Sequence, residues 1–246
     1  METKDRPAPG GRTALALLLT INLFNFIDRY VLASVEPEIR AHFFAADDPH
    51  AHALTGSLGT AFLVSYMISS LIFGWLADRF SRWVLIGLGV ILWSAATAAT
   101  GLATTFAFLF AMRLFVGVGE GGYGPAAPTI IADSFPLSIR GRVMSYFYVA
   151  IPVGSAIGYA IGGYVAAHWG WQTAFFVVAP PGILLGLACF GRRDPRLQMH
   201  HSQPTRRATL HDYIGLARIR SYILNSAAMT ALTFAIGGMS ALSSPP

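Results

Sequence analysis

Four ionisable side chains, Asp28, Arg29, Arg113 and Glu120, stand inside stretches of sequence that otherwise carry no charge. An ionised group at the centre of a membrane helix costs on the order of 2.5–3.5 kcal/mol on the insertion scale, so such groups face a bundle interior or a polar pathway and take partners there. Two acids and two arginines sum to zero, which permits complete internal pairing. A helix turns about 100° per residue, which brings Asn22, Asn25 and Arg29 within roughly 60° of one another as a polar stripe ending in a cation. Asp28 points about 100° away from Arg29, and sequence neighbours on a helix do not face each other. Asp28 must therefore find its partner on another helix.

Arg113, Gly117, Glu120 and Gly124 share one face of a later segment, with Arg113 and Glu120 about 10 Å apart along its axis. The expected arrangement pairs Asp28 with Arg113 and turns Arg29 toward a cavity. Glu120 is then left as an isolated acid in a low-dielectric site, the natural proton carrier. The bland alternative is that all four charges merely lock two helices together. The substitution Glu120→Gln separates these readings, because a lock tolerates the neutral amide and a proton carrier does not.

The elements that hold these side chains are seven apolar stretches, at 13–35, 54–77, 83–104, 106–132, 143–167, 171–191 and 222–242. The 246 residues are 54% hydrophobic and 12% charged, against roughly 25% charged in an ordinary soluble domain. Each stretch reaches the roughly 20 residues that cross about 30 Å of hydrocarbon as a helix, and only helices satisfy their own backbone there. The first is too long for a signal peptide and carries Asp28 and Arg29, so it is read as a span. The net charge of +5 does not imply nucleic acid, because the basic residues are sorted by loop. Lys4, Arg6 and Arg12, then Arg79 and Arg82, then Arg140 and Arg142, then the arginines from Arg192 to Arg220 occupy alternate connections, whereas the opposite loops hold Arg40 alone beside Glu36, Glu38, Asp47 and Asp48. By the positive-inside rule the amino terminus is cytoplasmic. The expected location is a multi-pass position in the cell (inner) membrane, in contact with membrane lipids.

Other chemistry is excluded by type and spacing. One cysteine, Cys189, permits neither an intrachain disulfide nor a cysteine-based zinc cluster, and His200 and His201 have no cysteine or carboxylate at ligand spacing. No cofactor or metal is expected. Gly117, Gly119 and Gly122 spell GxGxxG, but the fingerprint needs a preceding strand and this copy sits within an apolar helix. An intramembrane enzyme would need a nucleophile with its base, or a carboxylate pair, within the spans; none is present, and His168 lies at a span edge beside Trp169. Gly154, Gly158 and Gly162, and Gly182 and Gly186, repeat at the four-residue spacing that lets helices approach closely. Pro125, Pro128, Pro152, Pro180 and Pro181 permit bends. Trp75, Trp83, Trp169 and Trp171, at span ends, are expected as interface anchors.

Gly74-Trp-Leu-Ala-Asp78-Arg79-Phe-Ser-Arg82, between the second and third spans, resembles the signature of the major facilitator superfamily, departing from it at Ser81 and Trp83. Arg113 to Gly121 is similar to the arginine motif of that superfamily's fourth helix. Gly154 to Gly163 is similar to its antiporter motif, with Tyr159 where proline is expected, so antiport is not inferred. Asn25-Phe-Ile-Asp28-Arg29-Tyr30, Arg113 to Glu120, Ala127 to Asp133 and Ala150 to Ser155 together resemble the spinster branch.

The resemblance implies an all-α integral membrane protein whose residues 1–191 form the N-terminal six-helix bundle of a twelve-helix carrier, built from two inverted three-helix repeats. Residues 192–221 are then a basic cytoplasmic linker, and 222–246 a seventh helix that starts a C-terminal bundle expected elsewhere; the chain reads as truncated. The resemblance implies proton-coupled transport of lysolipid or sphingoid-phosphate-like amphiphilic anions by alternating access, with small organic anions or drugs as the alternative substrate. It places Glu120 and Asp28 in proton coupling and Arg29, Arg113, Asn22 and Asn25 at the substrate. Gly74, Asp78, Arg79 and Arg82 would form a cytoplasmic gate.

Overall fold

Backbone groups in hydrocarbon have to be paired within their own segment, and the apolar stretches are accordingly helices. The computed structural model describes residues 7–196, 215, 216 and 218–242. One unit contains α1 (Gly11–Ser34), α2 (Glu36–Phe43), α3 (Ala51–Ala77), α4 (Arg82–Thr100), α5 (Phe106–Gly121), α6 (Tyr123–Ser134), α7 (Leu137–Trp169) and α8 (Trp171–Cys189). Six segments are long and apolar enough to cross a membrane: α1, α3, α4, α5 together with α6, α7 and α8. The fourth is broken just after Glu120, where α5 stops at Gly121 and α6 starts at Tyr123. A second unit carries α9 (Arg220–Leu242), a helix over the seventh apolar stretch. Most of the stretch 192–221 expected as a linker, including His200, His201, Arg206 and Arg207, lies outside the described residues.

The neighbours follow the repeat. α1 lies along α7, α3 along α5, and α4 along α8. Exchanging the first three spans with the second three turns the first of these contacts into the second and leaves the third unchanged. That is the pairing two three-helix repeats produce. Glycines set the distances. A Cβ on Gly158 would lie 2.6 Å from the Ile27 carbonyl oxygen, and one on Gly119 would lie 2.7 Å from that of Gly89, so α1 meets α7 and α4 meets α5 backbone to backbone.

Two apolar cores result. One, toward the basic loops, includes Leu18, Ile21, Trp83, Ile86, Trp93, Tyr123, Ile130 and Phe147. The other, toward the acidic loops, includes Ile27, Val31, Leu58, Leu109, Trp171, Phe175 and Val178. Of the tryptophans expected as interface anchors, Trp75 and Trp169 are exposed, at 48% and 62%, whereas Trp83 and Trp171, at 1% and 5%, are buried and cannot serve as such. Each of these two opens a helix at a chain reversal, and there the ring turns inward to plug the end of a core.

Candidate functional site

The charged residues form a layer between those two cores. From α1, Arg29 donates through Nε to Glu120 Oε2 of α5 at 2.7 Å, and its Nη2 closes an ion pair on the same oxygen. The Glu120 side chain is wholly buried and that of Arg29 is 30% exposed. Phe62, Tyr66 and Phe26 surround the guanidinium, with ring centroids 4.7, 5.4 and 5.4 Å from its carbon. Aromatic faces attract a cation at this range, so Arg29 has a counter-ion on one side and rings around it.

Asp28, buried, accepts a 2.6 Å hydrogen bond at Oδ2 from Thr97 of α4. Arg113, also buried, donates from Nη2 to Thr100 of α4 at 2.8 Å and has the Phe175 ring 5.7 Å from its guanidinium carbon. Asp28 Oδ1, Arg113 Nε and Glu120 Oε1 are buried without a hydrogen-bond partner among the described residues. A buried polar atom left unpaired costs about 1–3 kcal/mol, so these valences are where a proton, a water or a ligand group would gain most.

Two sequence expectations need correction. Asp28 and Arg113 do not form an ion pair; each takes a threonine of α4, because Asp28 projects away from the Arg29 stripe toward α4 and Arg113 meets the same helix one turn on. Glu120 is not isolated; the long arginine side chain one residue beyond Asp28 spans the gap from α1 and pairs with it. The expectation that Arg29 faces a cavity holds, since it lines clefts on both of its sides. The glycines beside Glu120 leave no open notch, because α3 fills it: Ser69 Oγ donates to the Gly117 carbonyl at 3.3 Å, and Tyr66 lies against Gly124.

One cleft, of about 200 Å³, is polar, with Asn22, Asn25, Arg29, Tyr66 and Glu120 on its walls. Asn22 is fixed by a 2.7 Å bond from Nδ2 to the Phe147 carbonyl of α7. The other, of about 280 Å³, is walled by Leu32, Ala33, Leu58, Phe62 and Val116 and also has Arg29, Arg113, Thr55 and Glu36 on its lining. Thr97 and Thr100 went unnoticed in the sequence. Their signal was a polar row, Ser94, Thr97 and Thr100, at helical spacing within α4.

At the basic end Arg82 is buried in a network of its own. It donates from Nε and Nη2 to Asp194 at 3.1 and 2.5 Å, from its backbone N at 2.9 Å, and from Nη1 to Thr129 at 3.0 Å, while Nη2 also lies 2.7 Å from Asp133. Burial alone would raise the Asp194 carboxyl, but the hydrogen bonds from Arg82 outweigh it and hold the group below the usual carboxylate range. Arg196 donates to the carbonyls of Ala77 and Phe80, so the segment after α8 is tied to the turn between α3 and α4. Of the other predicted gate residues, Arg79 lies over the Trp75 ring at 3.8 Å and Asp78 caps α3 at the surface. A Cβ on Gly74 would meet nothing within 4 Å. The motif therefore splits, with Arg82 inside the bundle and Gly74, Asp78 and Arg79 on its outside. Ser81, in place of the usual glycine, has an extended backbone, φ −61° and ψ 122°, that serine adopts without strain.

Comparison with known proteins agrees with this geometry. The family model "Major Facilitator Superfamily" matches residues 18–245. The chain is 38% identical over 242 residues to human "Protein spinster homolog 1", covering 93% of this chain and 44% of that protein. It is 36% identical over 232 residues to the mouse "Sphingosine-1-phosphate transporter SPNS2", covering 91% and 41%. A crystal structure of a bacterial homologue of the human lysosomal transporter spinster, inward-facing and occupied, superposes with a TM-score of 0.68 at 30% identity, over 77% of this chain and 46% of that one. The chain thus spans less than half the length of the curated relatives it matches. Six apolar helices, the repeat pairing and a family match over nearly the whole sequence converge on one statement: this chain is an integral, multi-pass membrane protein of the Major Facilitator Superfamily, with spinster proteins among its relatives.

Proposed function

We propose that this chain forms the N-terminal bundle of a secondary active transporter that moves amphiphilic anions of the lysolipid or sphingoid-phosphate class by alternating access. The observation that carries the reading is the cleft lined by Leu32, Ala33, Leu58, Phe62 and Val116, whose polar lining is Arg29 and Arg113 together with Thr55 and Glu36, the last of these already paired with Arg40. An acyl chain gains roughly 0.8 kcal/mol per buried CH₂, and an anionic head group gains charge-assisted hydrogen bonds from arginine. No neutral apolar ligand uses both. The similarity to the mouse sphingosine-1-phosphate transporter supports the same class, since sphingosine-1-phosphate has this chemistry.

Proton coupling belongs to the same proposal. Among the described residues Glu120 is bonded to Arg29, with Oε1 unpaired, and Asp28 to Thr97, with Oδ1 unpaired, and the Arg113 guanidinium acts on both acids through space. An anion that draws Arg29 to itself weakens the bridge to Glu120 and so favours protonation there. Substrate binding and protonation thereby share one side chain and bias one two-state bundle. The basic loops set the orientation, with the Arg82 end in the cytoplasm.

The test is flux into liposomes holding the complete gene product, comparing lysophospholipids, sphingoid phosphates and small organic anions with and without a pH gradient. Amphiphile flux that needs the gradient and is lost in Glu120→Gln is expected. Flux of small organic acids alone selects the other substrate class, and flux indifferent to the gradient removes the coupling.

A further inference from the structure

A second cavity, apart from the charged layer, lies where α1 begins at the basic end. It has a volume of about 200 Å³ and is lined by Gly10, Gly11, Ser134, Trp83, Arg192 and Arg193 among others. α1 is 24 residues long and starts without a side-chain cap; Gly10 precedes it in a left-handed conformation, φ 77°. The first turn of a helix presents unpaired N–H groups and a partial positive charge. Here Gly11 is seated directly on Ser134, whose carbonyl oxygen a Cβ on Gly11 would approach to 3.2 Å and which already accepts from the Ala8 N–H at 2.9 Å.

Two further observations turn this helix end into a site. Ser134, 3% exposed, lines the cavity, and its hydroxyl is buried without a hydrogen-bond partner among the described residues. Arg192 is drawn across the first turn of α1 by a 2.8 Å bond from Nη1 to Thr13 Oγ1, which sets a second cationic side chain, Arg193, on the same wall. Among the described residues the carboxylates of Asp133 and Asp194 form their ion pairs with Arg82. The Gly11 N–H is taken by the Ala8 carbonyl at 2.8 Å, so the helix end contributes chiefly its partial positive charge, and with a buried hydroxyl and two guanidiniums that makes a site suited to a tetrahedral oxyanion.

We propose that this cavity binds one phosphate group, either free or as the head group of an anionic lipid, between the N-terminus of α1, Ser134 and the Arg192 and Arg193 pair. Such a ligand would tie α1, the end of α6 and the segment after α8 together at the basic face. The proposal does not depend on the transport reading.

The test uses the purified chain in two settings. Inorganic phosphate is titrated calorimetrically in neutral detergent, and phosphatidylglycerol retention is counted by native mass spectrometry from nanodiscs of phosphatidylcholine with added phosphatidylglycerol. Saturable binding of one equivalent is expected in at least one setting. Binding in both means that the site takes the group from either source; phosphatidylglycerol alone identifies a lipid site, and phosphate alone a site for the free ion. Loss of the two guanidiniums in R192Q/R193Q should weaken it about tenfold or more. Ser134→Ala, which disturbs the fold least, should weaken it a few-fold while Ser134→Thr retains it. No saturable binding in either setting overturns the proposal. So does an equal loss in R218Q/R220Q, because attraction would then follow net charge instead of this cavity.

Discussion

The two partners of the buried ion pair differ in exposure, and that difference makes their substitutions unequal. Removing Arg29 as Arg29→Gln strands Glu120, whose side chain has no exposure and whose second oxygen already lacks a partner. Leaving an uncompensated buried charge costs about 3–5 kcal/mol. Removing the charge of Glu120 as Glu120→Gln leaves an amide oxygen that still accepts from Arg29, and the guanidinium remains 30% exposed among Phe26, Phe62 and Tyr66. That substitution forfeits part of one charge-assisted hydrogen bond, about 1–2 kcal/mol. Arg29→Gln should therefore be the more destabilising by about 2 kcal/mol, and the double variant should cost less than the sum by at least about 1 kcal/mol. Reversible unfolding in mixed detergent and SDS micelles at neutral pH, followed by far-UV circular dichroism, measures all four corners of the cycle. The reasoning fails if Glu120→Gln costs as much as Arg29→Gln, or if the two single costs add to within about 0.5 kcal/mol.

Thr97→Val keeps shape and removes the hydroxyl that donates to Asp28; a loss of about 1–3 kcal/mol is expected, recovered by Thr97→Ser, in the same unfolding assay. Asp194→Asn breaks the fork to Arg82 and should cost about 2–3 kcal/mol, moderated by the contacts Arg82 keeps with Asp133 and Thr129. Because the folded Asp194 carboxyl titrates below its unfolded value of about 3.9, its contribution is present above that pH and fades as pH falls through the folded value. The wild-type chain should thus lose stability on acidification below about pH 4 more steeply than Asp194→Asn, and equal slopes would remove Asp194 from the account. Gly158→Leu places a side chain where Ile27 backbone already stands and should cost about 3 kcal/mol or prevent folding, whereas Gly163→Leu, facing open space, should be tolerated. Retention of folded protein on size-exclusion chromatography distinguishes them.

The spans were legible because charge is expelled from hydrocarbon so strongly that its absence marks them, and close helix contacts were legible because glycines at four-residue spacing advertise them, whereas the repeat came from the resemblance to the superfamily. Which charges meet was only half legible. Helical phase correctly turned Asp28 away from Arg29, but phase gives a direction and not a partner. A threonine hydroxyl at 2.6 Å satisfies an acid as an arginine would, and threonines in an apolar span look like ordinary residues until α4 is placed beside α1. The reach of Arg29 to Glu120 depends on how α1, packed mainly on α7 and α8, is set against α5, packed mainly on α3 and α4, and no local pattern encodes it. Asp194 was hidden for another reason. In a loop rich in arginine an acid reads as solvated, whereas 1% exposure makes it the anchor that joins the end of α8 to the start of α4.

The placement of close contacts and of polar bonds separates two structural tasks. Backbone-to-backbone glycine contacts bind α1 to α7, α3 to α5, and α4 to both α5 and α8. They are non-directional and tolerate a small slide along the groove, as dispersion contacts do. The bonds from Arg29 to Glu120, Asp28 to Thr97 and Arg113 to Thr100 instead join α1 to α5, α1 to α4 and α5 to α4, in one layer between the two cores. Hydrogen bonds weaken steeply with angle and distance, so these three fix the register of the lead helices of both repeats against the third helix. A change of charge in that layer releases the element that locks register while leaving the glycine contacts intact. The bundle then responds to a ligand or a proton by a shift between packed arrangements, not by unfolding, and the same layer that reads as costly in a stability account is the one place where a small ligand could set the bundle's geometry.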